Sequence, residues 1–382
     1  MAVYITELAS FLPNAPVSNS EMEALLGKVH QLPSRTRRII LRNNRIKTRY
    51  YAIDPATGVQ THTNAQLTAA AIRALDAHSG FDPESIECLC CGTSTPDQIL
   101  PGHAPMVHGE LGGSACEAFS AAGICAAGMS AMKFAWLNVA SGQSRTAIAT
   151  GSELASTFLR AGLCETVSGA KVAALEKQPA LSFDADFLRW MLSDGAGAAR
   201  LSDTPNPDGL SLRIEWIDLL SFAHELETCM YAGANKQADG TLQGWREFDS
   251  LQTAVDNGCF MLKQDVKLLN KEIVTTAVER TLPLLMEKHA LAADEIDWFL
   301  PHYSSDYFRN DLYQHMRDIG FEIPFERWFT NLAHKGNTGS ASIYIILEEL
   351  FHSGRIKKGE KLLCFIPESG RFTMCYMLLT AV

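Results

Sequence analysis

The sequence of 382 residues contains no uninterrupted apolar run long enough to cross a lipid bilayer, which takes about 20 residues. Its N-terminus lacks a basic stretch followed by an apolar one, so we expect no signal peptide and a cytoplasmic location. Positive charge is also scarce, because 33 Lys and Arg against 43 Asp and Glu give a net charge of −10. This acidic balance argues against broad nucleic-acid binding. We therefore expect no membrane span and no nucleic-acid partner.

The ten cysteines form no CxxC pair and no cluster with histidine at the spacing of a zinc site. Several of them lie inside apolar runs, which favours reduced thiols in a folded core over disulfides. We therefore expect no bound metal. The composition is that of a globular protein, with 47% hydrophobic and 20% charged residues. The length suffices for two domains or for one duplicated domain.

The two halves of the chain repeat one order of features. In each half, a helical pattern leads through a short acidic segment to a brief apolar strand, and a polar segment then precedes a second helix. We place these elements at 64–77, 88–92, 125–140 and 146–151 in the first half, and at 266–289, 298–301, 336–352, 361–366 and 372–379 in the second. Short apolar strands separated by helices predict buried, mostly parallel sheets. The matched order predicts a duplicated α/β unit whose two central helix starts face one cleft.

Three residues are candidates for chemistry. Cys125 stands among small residues at one central helix start, where the helix N-terminus favours a thiolate. His302 follows a strand that ends at Pro301, and strand ends are where sites form in α/β sheets. Asn337 lies in a Gly-Asn-Thr-Gly segment at the matching helix start. Each also has an ordinary structural explanation, namely a packed thiol, a structural histidine and a turn.

Taken together, Cys125, His302 and Asn337 have the chemistry of an acyl-transfer site. A cysteine nucleophile accepts an acyl group, and histidine and asparagine can donate hydrogen bonds to a thioester oxygen as it gains negative charge. A decarboxylative Claisen condensation has these requirements.

The sequence resembles the β-ketoacyl-acyl-carrier-protein synthase III-like enzymes of the thiolase superfamily, in a specialised-metabolism branch. The resemblance extends over nearly the whole chain, and it depends on the order and spacing of several short segments rather than on any one of them. These segments are 90–97, 100–101, 121–128, 193–198, 297–302, 336–342 and 372–373.

The resemblance implies a thiolase-like five-layered αβαβα fold built from two duplicated halves, 1–205 and 206–382, usually assembled as a homodimer. It implies that Cys125 is the nucleophile, and that His302 and Asn337 stabilise the enolate of the extender unit. The N–H groups of Cys125 and Gly370 would form the oxyanion hole. Acyl carrier protein or acyl-CoA thioesters would be the partners, and no cofactor would be needed.

Two departures from the family lie beside the candidate site. Tyr303, Ser304 and Ser305 replace the usual Gln-Ala-Asn after the histidine, and Asp306 would orient the His302 ring if this segment is helical. An ordinary surface carboxylate is the alternative for Asp306. The segment 368–371, Glu-Ser-Gly-Arg, replaces a glycine-rich loop, and its bulkier residues should reshape the cleft beside the nucleophile.

Two further departures concern substrate binding. Arg38 stands where the family has a tryptophan that binds coenzyme A, while Arg42 matches the arginine that follows. Loss of the aromatic ring leads to the hypothesis that the acyl donor arrives on a carrier protein. The segments 154–190 and 216–248 are longer than a compact synthase needs, and we expect them to cap the acyl channel or the dimer interface. Apolar residues that could form the channel wall, or simply core, are Phe158, Leu159, Phe183, Phe187 and Leu188.

Two basic surfaces are candidates for docking an acidic carrier protein. The segment 34–49 is rich in arginine and contains no acidic residue. Lys263, Lys267 and Lys271 recur at helical spacing, which predicts one basic helix face. An ordinary solvated surface is the alternative in both cases.

Three functions are compatible with these features. The first is a ketosynthase that joins a Cys-bound acyl group to a malonyl- or β-ketoacyl-type thioester, in polyketide, alkylresorcinol or fatty-acid-like specialised metabolism. The second is an acyltransferase that moves the acyl group to an oxygen or nitrogen acceptor without decarboxylation, with His302, helped by Asp306, as general base. The third is an inactive partner subunit, against which the presence of Cys125, His302 and Asn337 argues.

Overall fold

A nine-stranded sheet organises the part of the chain that the computed structural model describes, residues 1–29, 34, 36–75, 82–164 and 187–382. The order of its strands is β13-β14-β15-β8-β1-β7-β6-β4-β5, and three two-stranded ribbons, β2-β3, β9-β12 and β10-β11, lie outside it. The strands are β1 (Tyr4–Phe11), β2 (Val17–Ser18), β3 (Thr48–Arg49), β4 (Cys88–Thr93), β5 (Glu117–Ala122), β6 (Thr146–Glu153), β7 (Gly195–Ser202), β8 (Leu212–Ser221), β9 (Met230–Tyr231), β10 (Ala234–Lys236), β11 (Leu242–Gly244), β12 (Lys263–Gln264), β13 (Trp298–Pro301), β14 (Lys361–Glu368) and β15 (Thr373–Ala381).

The helices cover both faces of this sheet. They are α1 (Met22–Leu26), α2 (Arg37–Asn44), α3 (Asn64–Ala74), α4 (His103–Leu111), α5 (Ala126–Ala140), α6 (Ser156–Leu159), α7 (Ala161–Cys164), α8 (Leu251–Asp256), α9 (Val266–Thr275), α10 (Leu282–His289), α11 (Arg309–Asp318), α12 (Leu332–Lys335) and α13 (Ser342–Phe351). A π-helical segment, Thr276–Thr281, joins α9 to α10 just before Pro283, which has no N–H to donate. No helix among the described residues is long and apolar enough to cross a membrane.

The strand directions differ from the prediction. Parallel pairs are found only towards the two ends of the sheet, at β4-β5, β4-β6 and β13-β14. The other five neighbouring pairs are antiparallel, so the expectation of mostly parallel sheets was wrong. A strand buried on both faces has the same apolar pattern whichever way its neighbours run, so the sequence alone did not reveal the direction.

The helices and the two parts of the sheet form five layers, because alternate side chains along each strand pack against helices on opposite faces of the sheet. In β14, Leu363 and Phe365 pack with α9 and α11, whereas Leu362 and Cys364 face α5 and α13. In the first half, α3 and α4 cover the outer face of the strands β5-β4-β6-β7-β1. The layers are therefore helix, half-sheet, central helices, half-sheet and helix, as the αβαβα prediction required. The two half-sheets join through only two residue pairs of β1 and β8.

The two central helices, α5 and α13, meet at their N-terminal ends. The contact there is too close for a side chain at Gly128 or Gly151. A Cβ atom on Gly128 of α5 would lie 2.3 Å from the carbonyl oxygen of Ser340, and one on Gly151 of β6 would lie 2.2 Å from the same atom. The hydroxyl of Tyr344 donates to the carbonyl oxygen of Gly128 at 2.8 Å. The start of α5 and the turn before α13 are thus held against each other, as the matched halves predicted.

The boundary expected at 205/206 falls in the connection between β7 and β8, so strands β1 to β7 and strands β8 to β15 lie on opposite sides of it. That the two parts are duplicated halves remains a prediction.

Candidate active site

One cavity of about 360 Å3 brings together the three residues that the sequence singled out. Cys125, His302 and Asn337 all line it, although they come from three segments that are more than 30 residues apart in the chain. The elements that carry them are the start of α5, the end of β13 and the turn before α13. This convergence is a property of the fold, because α5 and α13 start side by side at the centre of the molecule.

The chain turns sharply to present Cys125. After β5 ends, Gly123 has a φ of +155°, a backbone conformation that residues with a side chain rarely adopt. Cys125 follows as the N-cap of α5 and already has helical dihedral angles, φ −57° and ψ −30°. Its side chain is buried and lines the cavity.

The surroundings of Cys125 favour its neutral thiol. Burial raises its pKa strongly, and the nearby carboxylates of Glu368 and Glu153 raise it further, while its own backbone N–H lowers it. Desolvation and two negative groups therefore oppose the preference for a thiolate that the helix start predicts. That the helix start favours the Cys125 thiolate remains a prediction.

His302 is held by the sheet and stays neutral. Its backbone N–H donates to the carbonyl oxygen of Phe365 at 2.8 Å, which continues the parallel pairing of β13 with β14. Burial lowers the pKa of His302 to about 4, well below its ordinary value of 6.5. A neutral imidazole has one N–H to donate and one nitrogen that accepts, so His302 suits hydrogen bonding to a substrate oxygen.

Asp306 does not contact the His302 ring. It begins a short 3-10 turn, Asp306–Phe308, and its carboxylate pairs with the Arg45 guanidinium at 3.3 Å. Within the described part of the chain, no carboxylate contributes to the pKa shift of His302, which has burial as its cause. The structure therefore gives no support to Asp306 as the residue that orients His302, and the surface carboxylate is the better explanation.

Asn337 is fixed by backbone contacts with the first half of the chain. Its N–H donates to the carbonyl oxygen of Met191 at 3.0 Å, and its own carbonyl oxygen accepts from Ser193 at 2.8 Å. The side-chain oxygen accepts from the N–H of Gly339 at 2.9 Å. Because the amide oxygen is engaged in this way, the NH2 group is the part of the side chain available to donate to a substrate.

The N–H of Gly370 is already engaged. It donates to Oε1 of Glu368 at 2.9 Å, so in this conformation it is not directed at a substrate oxygen. Glu368 is buried at the end of β14 and lines the cavity together with Ser369, Gly370 and Arg371. As expected, the loop that departs from the family shapes the cleft. The role of Gly370 in an oxyanion hole remains a prediction, and it would require Glu368 to release this N–H.

A second buried carboxyl group, on Glu153, was not among the sequence candidates. It ends β6 and lines the cavity, and its two oxygens accept four hydrogen bonds: from the N–H and hydroxyl of Ser94, the hydroxyl of Thr95 and the N–H of Ser340. Burial raises its pKa. Its position at the carboxyl end of a strand was the signal that could have identified it.

The two long segments contribute to the cavity wall. Met230, Tyr231 and Ala232 of segment 216–248 line it, as do Phe158 and Leu188 of segment 154–190. Leu159 and Phe187 are buried in the neighbouring core instead, and Phe183 lies outside the described residues. Further apolar wall residues are Ile124, Ala155, Met191, Leu192, Leu262, Leu269, Ile273, Val274, Phe308, Leu312, Phe365 and Pro367.

The residues predicted to dock a carrier protein have different environments. Arg38 and Arg42 are exposed on α2, and Lys267 is exposed on α9. Lys263 belongs to β12 rather than to that helix, and its ammonium group donates to the carbonyl oxygen of Ala234 at 2.7 Å. The proposed helical series of lysines therefore begins at Lys267. Arg35, in the other basic segment, lies outside the described residues.

No group of three or more metal-ligating side chains lies together within the described ranges.

Comparisons with known proteins agree with this architecture. Residues 286–371 match the family described as 3-oxoacyl-[acyl-carrier-protein (ACP)] synthase III C terminal. The structure is similar to that of AbyA1, a tetronic acid condensing enzyme, with a TM-score of 0.76 and 20% identity over 99% of both chains.

Two other solved structures are similar along their whole length. FabH of Pseudomonas aeruginosa, a 3-oxoacyl-(acyl carrier protein) synthase III, has a TM-score of 0.70 and 19% identity, with 100% of this chain and 98% of that chain covered. OleA of Xanthomonas campestris, in a structure with bound lauric acid and lauroyl-CoA, has a TM-score of 0.74 and 18% identity, with 100% and 99% covered. The chain thus has the fold of these FabH, OleA and AbyA1 structures, as the sequence resemblance predicted, and its residues 286–371 match the synthase III C-terminal family.

Proposed function

We propose that the protein is a ketosynthase that forms a carbon–carbon bond by decarboxylative Claisen condensation. The observation that carries this proposal is the single cavity lined by the Cys125 thiol, the neutral His302 ring and the Asn337 amide. It provides a nucleophile together with two neutral hydrogen-bond donors, which are the groups that the reaction uses.

In the first half-reaction, the sulfur of Cys125 attacks the carbonyl carbon of an acyl thioester. The carbon–sulfur bond of the donor breaks, and the proton of the Cys125 thiol leaves with the departing donor thiol. Because burial and two nearby carboxylates raise the pKa of this thiol, its proton is favoured to leave as the sulfur attacks the donor.

In the second half-reaction, a malonyl-type thioester loses carbon dioxide, and the electrons of the broken bond form an enolate. Neutral His302 and the NH2 group of Asn337 donate hydrogen bonds to the enolate oxygen. The carbanion attacks the acyl-cysteine, the new carbon–carbon bond forms, and Cys125 leaves as a thiolate that takes up a proton. A neutral His302 suits this role over a wide pH range, because its pKa is about 4.

The apolar wall supports an acyl chain as the group that Cys125 carries. Phe158, Leu188 and Ile273 are among the side chains that surround the cavity next to the reactive residues. Two structurally similar proteins, a tetronic acid condensing enzyme and an OleA with bound lauric acid, are compatible with this substrate class.

Intact-protein mass spectrometry tests the proposal. After incubation with a panel of acyl thioesters, the wild type should gain the mass of one acyl group, and Cys125→Ala should not. Addition of a malonyl thioester should then remove the acyl mass and release carbon dioxide. Failure of the wild type to become acylated by any chain length would refute the proposal.

Acyl transfer without decarboxylation is the second candidate function. The buried carboxyl group of Glu368 in the cavity favours it, because a base is needed to activate an oxygen or nitrogen acceptor. Consumption of the acyl-cysteine without carbon dioxide release, with the acyl group found on an alcohol or amine, would identify this activity.

We also propose an acyl carrier protein as the donor of the acyl group. The exposed Arg38 and Arg42 on α2 and Lys267 on α9 supply positive charge on an otherwise acidic protein. Because Arg38 stands where the similar family has a tryptophan, the aromatic ring on which an adenine would stack is missing. Acyl-CoA thioesters are the alternative donors.

A homodimer is the assembly that we propose. Strand β5 is the last strand of the sheet, and most of its residues are exposed, so the described structure leaves one of its edges available for pairing. Light scattering should give about twice the 41.9 kDa of the chain. A monomer at micromolar concentration would contradict this assembly.

A further inference from the structure

Glu368 is a buried carboxyl group in the candidate cavity that has no assigned role in condensation. It ends β14, and it lines the same cavity as Cys125, His302 and Asn337. No cationic side chain among the described residues contributes to its pKa, which burial raises and three backbone N–H groups lower. The negative charge of Glu368 also raises the pKa of Cys125, so the carboxylate interacts electrostatically with the thiol.

The loop that follows fixes the position of this carboxylate. Oε1 accepts from the N–H of Gly370 at 2.9 Å, and Oε2 accepts from Arg371 at 3.4 Å and Thr373 at 3.1 Å. Gly370 has to be small here, because a Cβ atom would lie 2.1 Å from Oε1 of Glu368 and 3.0 Å from the side chain of Ile124. The residue next to Cys125 therefore packs directly beside this carboxylate loop.

The backbone of the loop is strained and firmly anchored. Phe372 has a φ of +59° although it carries a side chain, and its ring is completely buried. Its carbonyl oxygen accepts from Phe222 at 3.0 Å, and the carbonyl oxygen of Gly370 accepts from Cys229 at 2.8 Å. Segment 216–248, which contains Phe222 and Cys229, thus anchors the loop and with it Glu368.

The hydrogen bonds distinguish Glu368 from the other possible bases of the cavity. A carboxylate has about four lone-pair sites, two on each oxygen. Glu153 uses two on each oxygen, so it has no site left for a substrate proton. Glu368 uses one on Oε1 and two on Oε2, which leaves one acceptor site on Oε1. His302 is a weak base, because burial lowers its pKa to about 4.

We propose that Glu368 is a catalytic general base that removes a proton from C2 of a β-ketoacyl thioester, after Cys125 has received its acyl group. The proposal rests on the proposed function only for the acylation of Cys125. A hydrogen on C2 of such a thioester is acidic because it lies between two carbonyl groups. The enolate that forms is the kind of species that His302 and Asn337 are placed to stabilise, whereas a hydroxyl acceptor would make no use of them.

The step balances without an additional reactant. Glu368 takes the C2 proton, and the electron pair of the broken C–H bond becomes the enolate. C2 then attacks the carbonyl carbon of the acyl-cysteine, the new carbon–carbon bond forms, and the bond to the Cys125 sulfur breaks. The Cys125 thiolate takes the proton from Glu368, which restores both groups. No carbon dioxide is lost in this reaction.

The test compares two second substrates on enzyme already acylated at Cys125, a β-ketoacyl and a malonyl thioester on the same small thiol. The wild type should condense the first without carbon dioxide release. Glu368→Gln keeps the shape of the side chain but not its basicity, and it should lose about 10²- to 10⁴-fold in rate with the β-ketoacyl thioester. Its rate with the malonyl thioester should change less than tenfold, because decarboxylation supplies the carbanion. Glu368→Asp should recover part of the β-ketoacyl rate.

The outcomes separate this inference from the proposed function. Normal acylation and carbon dioxide release, combined with equal β-ketoacyl rates for wild type and Glu368→Gln, would overturn the role of Glu368 alone. Equal losses of acylation and of both condensations in Glu368→Gln, with a lower urea midpoint, would show a purely structural role and would also overturn it. Absence of acylation in the wild type would refute the proposed function instead.

Discussion

The contact between Gly128 and Ser340 makes the most direct prediction about how the fold positions the catalytic groups. Gly128 lies three residues after Cys125, and Ser340 lies three residues after Asn337. In Gly128→Ala, the added Cβ atom would lie 2.3 Å from the backbone oxygen of Ser340, whereas ordinary contacts begin at 3.4 Å. The two segments would have to separate by 3.4 − 2.3 = 1.1 Å.

Gly109→Ala is the matched control. Gly109 is also inside a helix, α4, and a Cβ atom there would meet no atom within 4 Å. Both variants gain about 0.5–1 kcal/mol of helix stability, so this term cancels in the comparison. Forcing an extra methyl group into a packed contact costs about 1–3 kcal/mol. We therefore expect the free energy of unfolding of Gly128→Ala to be about 1–3 kcal/mol lower than that of Gly109→Ala. The difference should lie near the upper end of this range, because the added methyl group meets backbone atoms, which cannot move aside as a side chain can.

Activity should change in the same direction. A displacement of about 1 Å in a catalytic arrangement costs about 10²-fold in rate, so condensation should fall by that order in Gly128→Ala and stay at the wild-type level in Gly109→Ala. Urea unfolding followed by circular dichroism measures the stability, and mass spectrometry follows the loss of acyl-cysteine. Equal stability and equal rates in the two variants would refute the idea that this contact sets the distance between the two halves of the site.

Two further predictions concern charge. Since the pKa of His302 falls from 6.5 to about 4 on burial, the unfolded chain binds a proton between these pH values that the native protein does not. Between pH 7 and pH 4, the free energy of unfolding of the wild type should therefore fall by roughly 3 kcal/mol more than that of His302→Phe. Urea unfolding of both proteins at the two pH values measures this, and an equal fall in both would contradict the prediction. Charge reversal at Arg42 and Lys267 should raise the KM for a carrier-bound substrate more than for a small thioester mimic. Equal effects on both, or efficient saturable use of the CoA ester, would argue against carrier docking.

Local patterns predicted many of the elements. The strand at Trp298–Pro301 was placed correctly, and the helix after Cys125 begins and ends where the sequence indicated. The sequence predicts a polar loop between Gly92 and Cys125, but this region contains α4 and β5. Strand β5 is an exposed edge strand of small residues, so it has neither the apolar run nor the alternation by which strands are recognised.

The candidate site was predictable in its members but not in its environment. Cys125, His302 and Asn337 were found because each has a chemically distinctive side chain at the start of a helix or the end of a strand. Asp306 was assigned from its spacing to His302, yet it pairs with Arg45, more than 250 residues away in the chain. Such pairings depend on which distant segments pack together, and a spacing rule contains no information about them.

The sequence alone singled out Cys125 as the candidate nucleophile, His302 and Asn337 as its candidate partners, and the unusual 368–371 loop, while the family resemblance implied the five-layered order of helices and strands. Only the tertiary structure decided the strand directions, the directions in which burial shifts the pKa values of Cys125 and His302, and the capture of the Gly370 N–H by Glu368. The physical reason is that helix and strand patterns arise from neighbours in the chain. Desolvation and hydrogen-bond saturation are instead set by atoms that folding brings together from both halves of the molecule.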